Sequence, residues 1–306
     1  MTDATRYAWF DGEILPLDEI RVSPLSHSLH YGTGVFEGIR AYEQASGGGG
    51  VFRLKEHLSR MFDSSRILGY EIPYDLDQLV QASLETLAAN NMTEGYLRPL
   101  VWLGEGALGL AGGDNPVHTF IAGWPWGAYL GEEGLEHGIR AMITSYERTA
   151  GNASAIRAKV TGQYVTSFMA KRMVLAMGLD EGLLLDRDGY LCEATGENLF
   201  MVRNGVLYTA PDDSAILQGI TRDCILTLAK EEHIVINMER FTRTDLYSAE
   251  EAFLTGTAAE VTPIREVDTR PFEQCPGPVT LKLQHAYMDL VTGKHELSSY
   301  WITPIP

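Results

Sequence analysis

Lysine is scarce in this chain, and one of its six lysines, Lys159, sits in a setting unlike the other five. Lys55, Lys171, Lys230, Lys282 and Lys294 belong to stretches of amphipathic helical character, whereas Lys159 follows SAIRA and precedes VTG, among small and apolar residues. An amine in poorly hydrated surroundings is more readily neutral, and a neutral amine is a nucleophile that can condense with a carbonyl. The plainer alternative is a lysine that closes a strand with its head in water. Glu193, in LCEATGENLF, is a carboxylate flanked by apolar residues; once buried it requires a partner, which is an arginine, backbone amides or a cofactor nitrogen.

Two glycine corners could receive an anion. In LQGITRDCILTLAK, Gly219, Ile220 and Thr221 fall where a loop enters a helix, so backbone N–H groups and a hydroxyl converge there; plain capping by Thr221 explains the same pattern. In LTGTAAEVTP, Gly256, Thr257 and Ala258 follow a strand and again offer backbone donors to a phosphate or carboxylate. Other groups carry no chemistry. His27 and His30 have no third ligand for a metal, Ser26-His27 lacks the G-x-S-x-G elbow of a hydrolase, and GEGALG and GLAGGD lack the strand, basic residue and helix of a nucleotide loop.

The elements that must position these residues read as α+β. Asp11-Gly12 marks a turn in a β-rich entry, and the Gly47 to Gly50 run reads as a flexible hairpin tip. Helices are expected with Leu54, Leu58, Met61, Phe62 and Ile67 on one face, and from about Leu76 to Ala89. Strands YLRPLVWLG and VHTFIAGW follow, then an aromatic and glycine-rich connector, WPWGAYLGEEG. Beyond it come strand IRAMITSYER and a helix whose buried stripe is Val165, Phe168, Met169, Met173 and Ala176. Strands EGLLLD, YLCEATGENLFMV and VLYTA are joined at Asp188-Gly189 and Asn204-Gly205, two preferred two-residue hairpin pairs. Helix TRDCILTLAKEE, strand EEAFLTG and helix GPVTLKLQHAYMDLVTGK close the chain. Length and connector together predict a domain over residues 1–123, a linker over 124–136 and a second domain over 137–306.

A net charge of −17 excludes tracking of a nucleic-acid backbone, which needs a lysine and arginine excess. Three scattered cysteines are too few for a disulfide framework or a C-x-x-C zinc site and fit a reducing cytoplasm. MTDATRYAWFDGEILPL has no basic start followed by an apolar run, and no stretch reaches membrane-spanning length, so neither secretion nor membrane insertion is expected.

Taken in order, HYGTGVFEGIRAY, EGYLRPL, PWGAYLG, the AKVTGQY around Lys159, EATGENLF from Glu193, LQGITR from Leu217 and GTAAEVTPI from Gly256 resemble the branched-chain aminotransferases, which belong to the fold-type IV pyridoxal-phosphate enzymes. The likeness runs nearly end to end. It implies a small α+β domain and a larger β-barrel-like domain with flanking helices, the cofactor at the domain interface. It implies reversible amino transfer from leucine, isoleucine and valine to 2-oxoglutarate through a Schiff base on Lys159, which also shuttles the proton, in a homodimer or higher homo-oligomer. Glu193 would pair with the pyridine nitrogen of pyridoxal 5′-phosphate and Tyr164 with its phenolate oxygen. Arg60, Ile220, Thr221 and Thr257 would hold its phosphate, with Gly196, Leu217, Gly219 and Gly256 also lining the cofactor.

By the same resemblance the substrate would meet Phe36, Gly38, Arg40, Tyr96, Trp126 and Tyr129, with Tyr31 and Leu110 reaching from a second subunit. Thr257 and Ala258 N–H groups and the Tyr96 hydroxyl would receive the α-carboxylate, and Arg98 the distal carboxylate of glutamate. Two relatives share the fold type: D-amino-acid aminotransferases typically carry an arginine and a histidine two residues apart, where this chain has Arg98-Pro99-Leu100, and aminodeoxychorismate lyases usually lack the full VFEGIRAY and GTAAEVTP pairing present here. L-substrates are therefore expected over a D-amino-acid or (R)-amine transaminase, or a pyridoxal-phosphate-binding protein without turnover.

Overall fold

The computed structural model describes residues 6–306, whose contacts separate into two units. The first runs to Gly127 and takes in Ala158–Gln163 and Leu290–Pro306; the second comprises Ala128–Arg157 and Tyr164–Asp289. Residues 1–5, part of the N-terminal segment on which the expectation about secretion rests, lie outside the described residues.

The first unit is built on an antiparallel sheet. Its strands follow the order Ile302–Pro304, Gly49–Phe52, Ile39–Glu43, Gly95–Leu103, Val117–Trp124, Tyr7–Phe10 and Glu13–Pro16, with Val35–Phe36 also pairing Gly95–Leu103. Asp11-Gly12 closes the first hairpin, as its composition predicts, with Phe10 opposite Glu13. Helix Leu76–Ala89 starts at a capping box between Asp75 and Gln78 and ends at Asn90, and it packs on Tyr7–Phe10 and Val117–Trp124. Helix Leu54–Leu68 buries Leu54, Leu58 and Met61 completely, each contributing about 1.5–3 kcal/mol. Its buried face turns toward His57, Ser64 and Ser65, leaving Ile67 half exposed, contrary to the apolar stripe.

The glycine run is only partly a tip. Gly47 and Gly48 make the turn, but Gly49 and Gly50 lie buried in the strand opposite Glu43 and Tyr42. A Cβ there would stand 2.2 Å from the Thr93 carbonyl oxygen or 2.3 Å from Ile302 Cγ2, so these two glycines admit neighbouring chain rather than flexibility.

The second unit closes a β-barrel. Strands Glu181–Leu185, Ile139–Glu147, Glu260–Val267, Glu251–Gly256, Asn198–Arg203 and Leu191–Ala194 pair in that order, and the last returns to the first. Ile139–Glu147 runs parallel to both neighbours, and the other pairs of the ring are antiparallel. Val206–Thr209 and Ile236–Met238 extend the sheet. Asn204-Gly205 is the expected two-residue turn, both residues left-handed. Asp188-Gly189 is instead part of a longer turn: the Asp186 N–H reaches the Tyr190 carbonyl, and Asp186 Oδ1 accepts from the N–H groups of Asp188 and Tyr190. The expected single strand YLCEATGENLFMV is two strands, folded back at Thr195–Glu197 so that Glu193 faces Asn198.

Helix Tyr164–Ala176 packs on strands Ile139–Glu147 and Glu181–Leu185, but through Ser167, Ala170 and Val174. The stripe expected to be buried faces outward, with Val165 58% and Phe168 60% exposed. The helical period is legible, whereas the side turned to the barrel is the one whose small residues allow close approach. Short helices His27–Tyr31, Glu132–His137 and Arg243–Tyr247 carry no strong period, so the sequence does not announce them. No helix of the described residues is long and apolar enough to cross a membrane.

Candidate active site

In the first unit, Lys159 lies on a segment stitched to the Gly32–Phe36 stretch. Phe36 N–H donates to the Lys159 carbonyl (3.1 Å), Val160 bridges Val35, and Thr161 and Gly162 donate to Gly34 and Gly32. Lys159 N–H donates to Ser64 Oγ (3.0 Å), and that hydroxyl donates to the Arg60 carbonyl (2.8 Å), so lysine and arginine are tied through one serine. The Lys159 amine stands 5.0 Å from the centre of the Phe36 ring.

Arg60 is gripped by a carboxylate that the motif reading does not single out. Glu37, fully buried, accepts from Arg60 Nε at 2.6 Å and Nη2 at 2.9 Å, and faces His57 Nδ1 at 2.8 Å. Burial by itself raises a carboxyl, but the Arg60 guanidinium and the His57 bond hold Glu37 far below the usual carboxylate range. Burial also lowers His57, against the pull of Glu37, so the imidazole is neutral and Nδ1–H is the donor. A lone carboxylate in VFEGIRAY, with a histidine and an arginine three apart on the next helix, is the signal the sequence offers.

Phe36, Gly38, Arg40, Tyr96, Arg98 and Trp126 also come together in this unit. The Arg98 guanidinium lies 4.9 Å from the Phe36 ring centre and 5.4 Å from that of Tyr96, donates to the Tyr96 hydroxyl at 3.2 Å, and has a buried Nε without a hydrogen-bond partner. Tyr96 stacks on Trp126 at 5.0 Å, and Arg40 donates to the Trp126 carbonyl. A Cβ at Gly38 would sit 1.8 Å from the Tyr96 hydroxyl, so only glycine leaves that hydroxyl in place. Tyr31 and Leu110 stand apart, 43% and 77% exposed, Tyr31 donating to the Leu108 carbonyl. His27 and His30 each set Nε2 against a backbone carbonyl.

In the second unit Glu193 is almost buried. Its Oε1 pairs with Arg148 Nη2 at 2.7 Å, and its Oε2 accepts from Asn198 Nδ2 (3.1 Å) and the Leu217 N–H (3.0 Å). Both of the commoner partners, an arginine and a backbone amide, are thus present; Arg148 follows a strand end without any pattern that would mark it. Leu217 leads directly into helix Ile220–Glu231, whose N-cap is Gly219 and has no side-chain capping bond. Thr221 lies inside the first turn, buried, rather than at the cap. Gly256, Thr257 and Ala258 turn the chain between Glu251–Gly256 and Glu260–Val267, with Gly256 beside Glu197. Tyr164 begins its helix, and Tyr129 packs its ring 5.3 Å from the Lys171 amine.

The chain matches the family Amino-transferase class IV over residues 34–267. It is 46% identical over 304 residues to the branched-chain-amino-acid aminotransferase of Pseudomonas aeruginosa, covering 99% of this chain and 98% of that protein. The chain belongs to the class IV aminotransferases, among the branched-chain-amino-acid aminotransferases. Its fold agrees: the crystal structure of the Escherichia coli branched-chain amino acid aminotransferase superposes with a TM-score of 0.96 at 42% identity, covering 99% of this chain and 100% of that one. The T.th. branched-chain amino acid aminotransferase, crystallised with pyridoxamine 5′-phosphate, gives 0.95 at 45% identity, covering 99% of each chain. The same enzyme complexed with N-(5′-phosphopyridoxyl)-L-glutamate gives 0.93 at 42%, again covering 99% of each. The barrel and the antiparallel sheet of this branched-chain aminotransferase are therefore those of an α+β fold seen in its relatives.

Proposed function

We propose that this chain reversibly moves the amino group of leucine, isoleucine and valine to 2-oxoglutarate, with Lys159 and Glu193 as the residues on which the reaction turns. The observation that carries the reading lies in the second unit. One loop bonds a buried carboxylate, at Leu217, and then opens a helix with no side-chain cap, at Gly219. A phosphorylated ring that carries a protonated nitrogen needs a carboxylate and a phosphate cradle in that relation, so the residues present fit pyridoxal 5′-phosphate. When bound, that cofactor supplies a carbonyl to which an amino group can join and a ring that takes up the electrons left as the α-proton departs.

The chain's own residues do the rest. The Lys159 amine anchors the cofactor and moves the proton at the substrate α-carbon. Glu193, kept in place by Arg148, Asn198 and Leu217, holds the proton on the ring nitrogen. Tyr164 would donate to the cofactor's phenolate oxygen; Arg60, Ile220, Thr221 and Thr257 would hold its phosphate, and Gly196 and Gly256 would let backbone approach. Thr257, Ala258 and Tyr96 receive the α-carboxylate. Phe36, Gly38, Trp126 and Tyr129 offer an apolar wall that favours branched aliphatic side chains, with discrimination among them of about 1–3 kcal/mol per methylene. The partnerless Nε of Arg98 suits it to the distal carboxylate of glutamate.

The chain is then a small domain over residues 1–123, a linker over 124–136 and a cofactor-binding domain over 137–306, of which Ala158–Gln163 and Leu290–Pro306 group with the first unit. The working form is a homodimer. The outward stripe of Val165, Phe168 and Leu175, each more than half exposed, supports an apolar contact with a second copy, to which exposed Tyr31 and Leu110 would contribute. Three free cysteines, two of them buried, suit the reducing cytoplasm.

A visible spectrum taken before and after L-leucine, then D-alanine, tests the reading. The expected result is a visible absorbance band from the bound pyridoxal group that bleaches with L-leucine, is untouched by D-alanine, and leaves no borohydride-fixed adduct on Lys159→Ala. Bleaching by D-alanine alone would replace the L-specific reading with its D-specific rival.

A further inference from the structure

We propose that Glu37, with His57 behind it, is a positioning residue that holds Arg60 in the orientation needed to meet the cofactor's phosphate. The inference rests on the phosphate role assigned to Arg60 above and adds what sets that arginine's direction.

Three observations within the first unit carry it. The carboxylate is fully buried and grips one edge of the guanidinium through both oxygens, Oε1 to Nε at 2.6 Å and Oε2 to Nη2 at 2.9 Å. A two-point fork fixes the plane of a guanidinium as a single bond cannot. The carboxylate is itself fixed from behind, because buried His57 reaches Oε2 at 2.8 Å and the Gly38 N–H reaches it at 3.3 Å. The backbone of Arg60 is held as well: its carbonyl accepts from Ser64 Oγ, which accepts the Lys159 N–H, so the arginine is set relative to the reactive lysine. A buried ion pair is costly, and well-packed apolar residues in place of both partners would serve as well for stability alone. The pair's presence is explained by the geometry the carboxylate imposes on the guanidinium proposed above to hold the phosphate.

The test compares pyridoxal 5′-phosphate with pyridoxal, which differs only in lacking the phosphate. The full chain is resolved of cofactor and titrated with each compound by visible absorbance, for wild type, Glu37→Gln, Arg60→Gln and the double variant. The expected result is that Glu37→Gln lowers the preference for the phosphorylated compound by about tenfold or more, the size of one charge-assisted hydrogen bond, while the affinity for pyridoxal holds. In the Arg60→Gln background the same substitution should change the preference no further. His57→Gln should give a smaller loss of the same sign, and serves if Glu37→Gln does not fold. An unchanged or increased preference, or additive effects of Glu37 and Arg60, overturns the proposal. A wild-type chain that takes up neither compound overturns instead the cofactor reading beneath it.

Discussion

Glu37 in the first unit and Glu193 in the second are both buried carboxylates paired with an arginine, yet they are held in opposite ways. Glu37 gives both oxygens to one guanidinium and a third contact to an imidazole, and none of its surface reaches solvent. Glu193 meets Arg148 Nη2 at 2.7 Å through Oε1, and its Oε2 accepts from a side-chain amide and a backbone N–H. A two-point fork fixes the plane of the Arg60 guanidinium. Asn198 and the Leu217 N–H fix the Glu193 carboxylate itself. Under the roles proposed above, the first carboxylate would orient its partner and the second would be the group oriented.

The strongest way to break this contrast is Glu37→Ala. With the carboxylate gone, the Arg60 cation and the His57 ring are left in a buried space, and about 3–5 kcal/mol of folding stability should be lost in chemical denaturation. A loss under about 1 kcal/mol, the range of exposed pairs, would show that the fork is ornamental. The pH dependence has a set sign: Glu37 is held below the usual carboxylate range, so its contribution is complete above about pH 4 and disappears as pH falls further. Glu193→Gln should act on turnover instead. It keeps the shape but removes the charge, and kcat should fall by about a hundredfold with KM little altered, since the charge matters most when electrons reach the ring. If the loss appeared in KM with kcat preserved, Glu193 would be a binding residue like Arg60.

Much of this contrast can be read before folding. Glu193 is marked by its apolar strand, because burial of a charge is written locally when the flanking residues are hydrophobic, whereas Lys159, among small apolar neighbours, is only partly buried. The partners are not legible. Arg148 lies forty-five positions from Glu193 in the chain, and His57 joins Glu37 only because a helix packs behind the strand that leads to it. Periodicity behaves the same way for the fold. It locates helix Tyr164–Ala176, but it does not say that Ser167 and Ala170 face the barrel while Phe168 faces outward, since close packing selects small residues as readily as large ones. The closure of six strands into a barrel likewise depends on the pairing of Glu193 with Asn198 across a tight fold-back, where composition suggests a single continuous strand.

The smallest expected effect comes from a third buried glutamate, which sharpens the comparison because no arginine among the described residues pairs with it. Glu197 Oε2 accepts from the Gly196 N–H at 3.1 Å, and Glu181 lies beside it, paired with Lys171 at 2.5 Å and with the Thr195 hydroxyl at 2.6 Å. Burial first, and then repulsion from Glu181, push its carboxyl up to about 8. Folding near neutral pH therefore takes up a proton here, and the stability so gained is complete below the usual carboxylate range and lost as pH rises through about 8. Glu197→Gln removes the titrating group but keeps a neutral side chain of the same shape. Its unfolding free energy should fall less than that of the wild type between pH 5 and pH 9, by on the order of 1–2 kcal/mol, because the proton is shared among Lys171, Glu181 and Glu197. Parallel stability curves for the two proteins would mean that Glu197 is ionised in the fold, and that a buried carboxylate in this barrel needs no arginine to keep its charge.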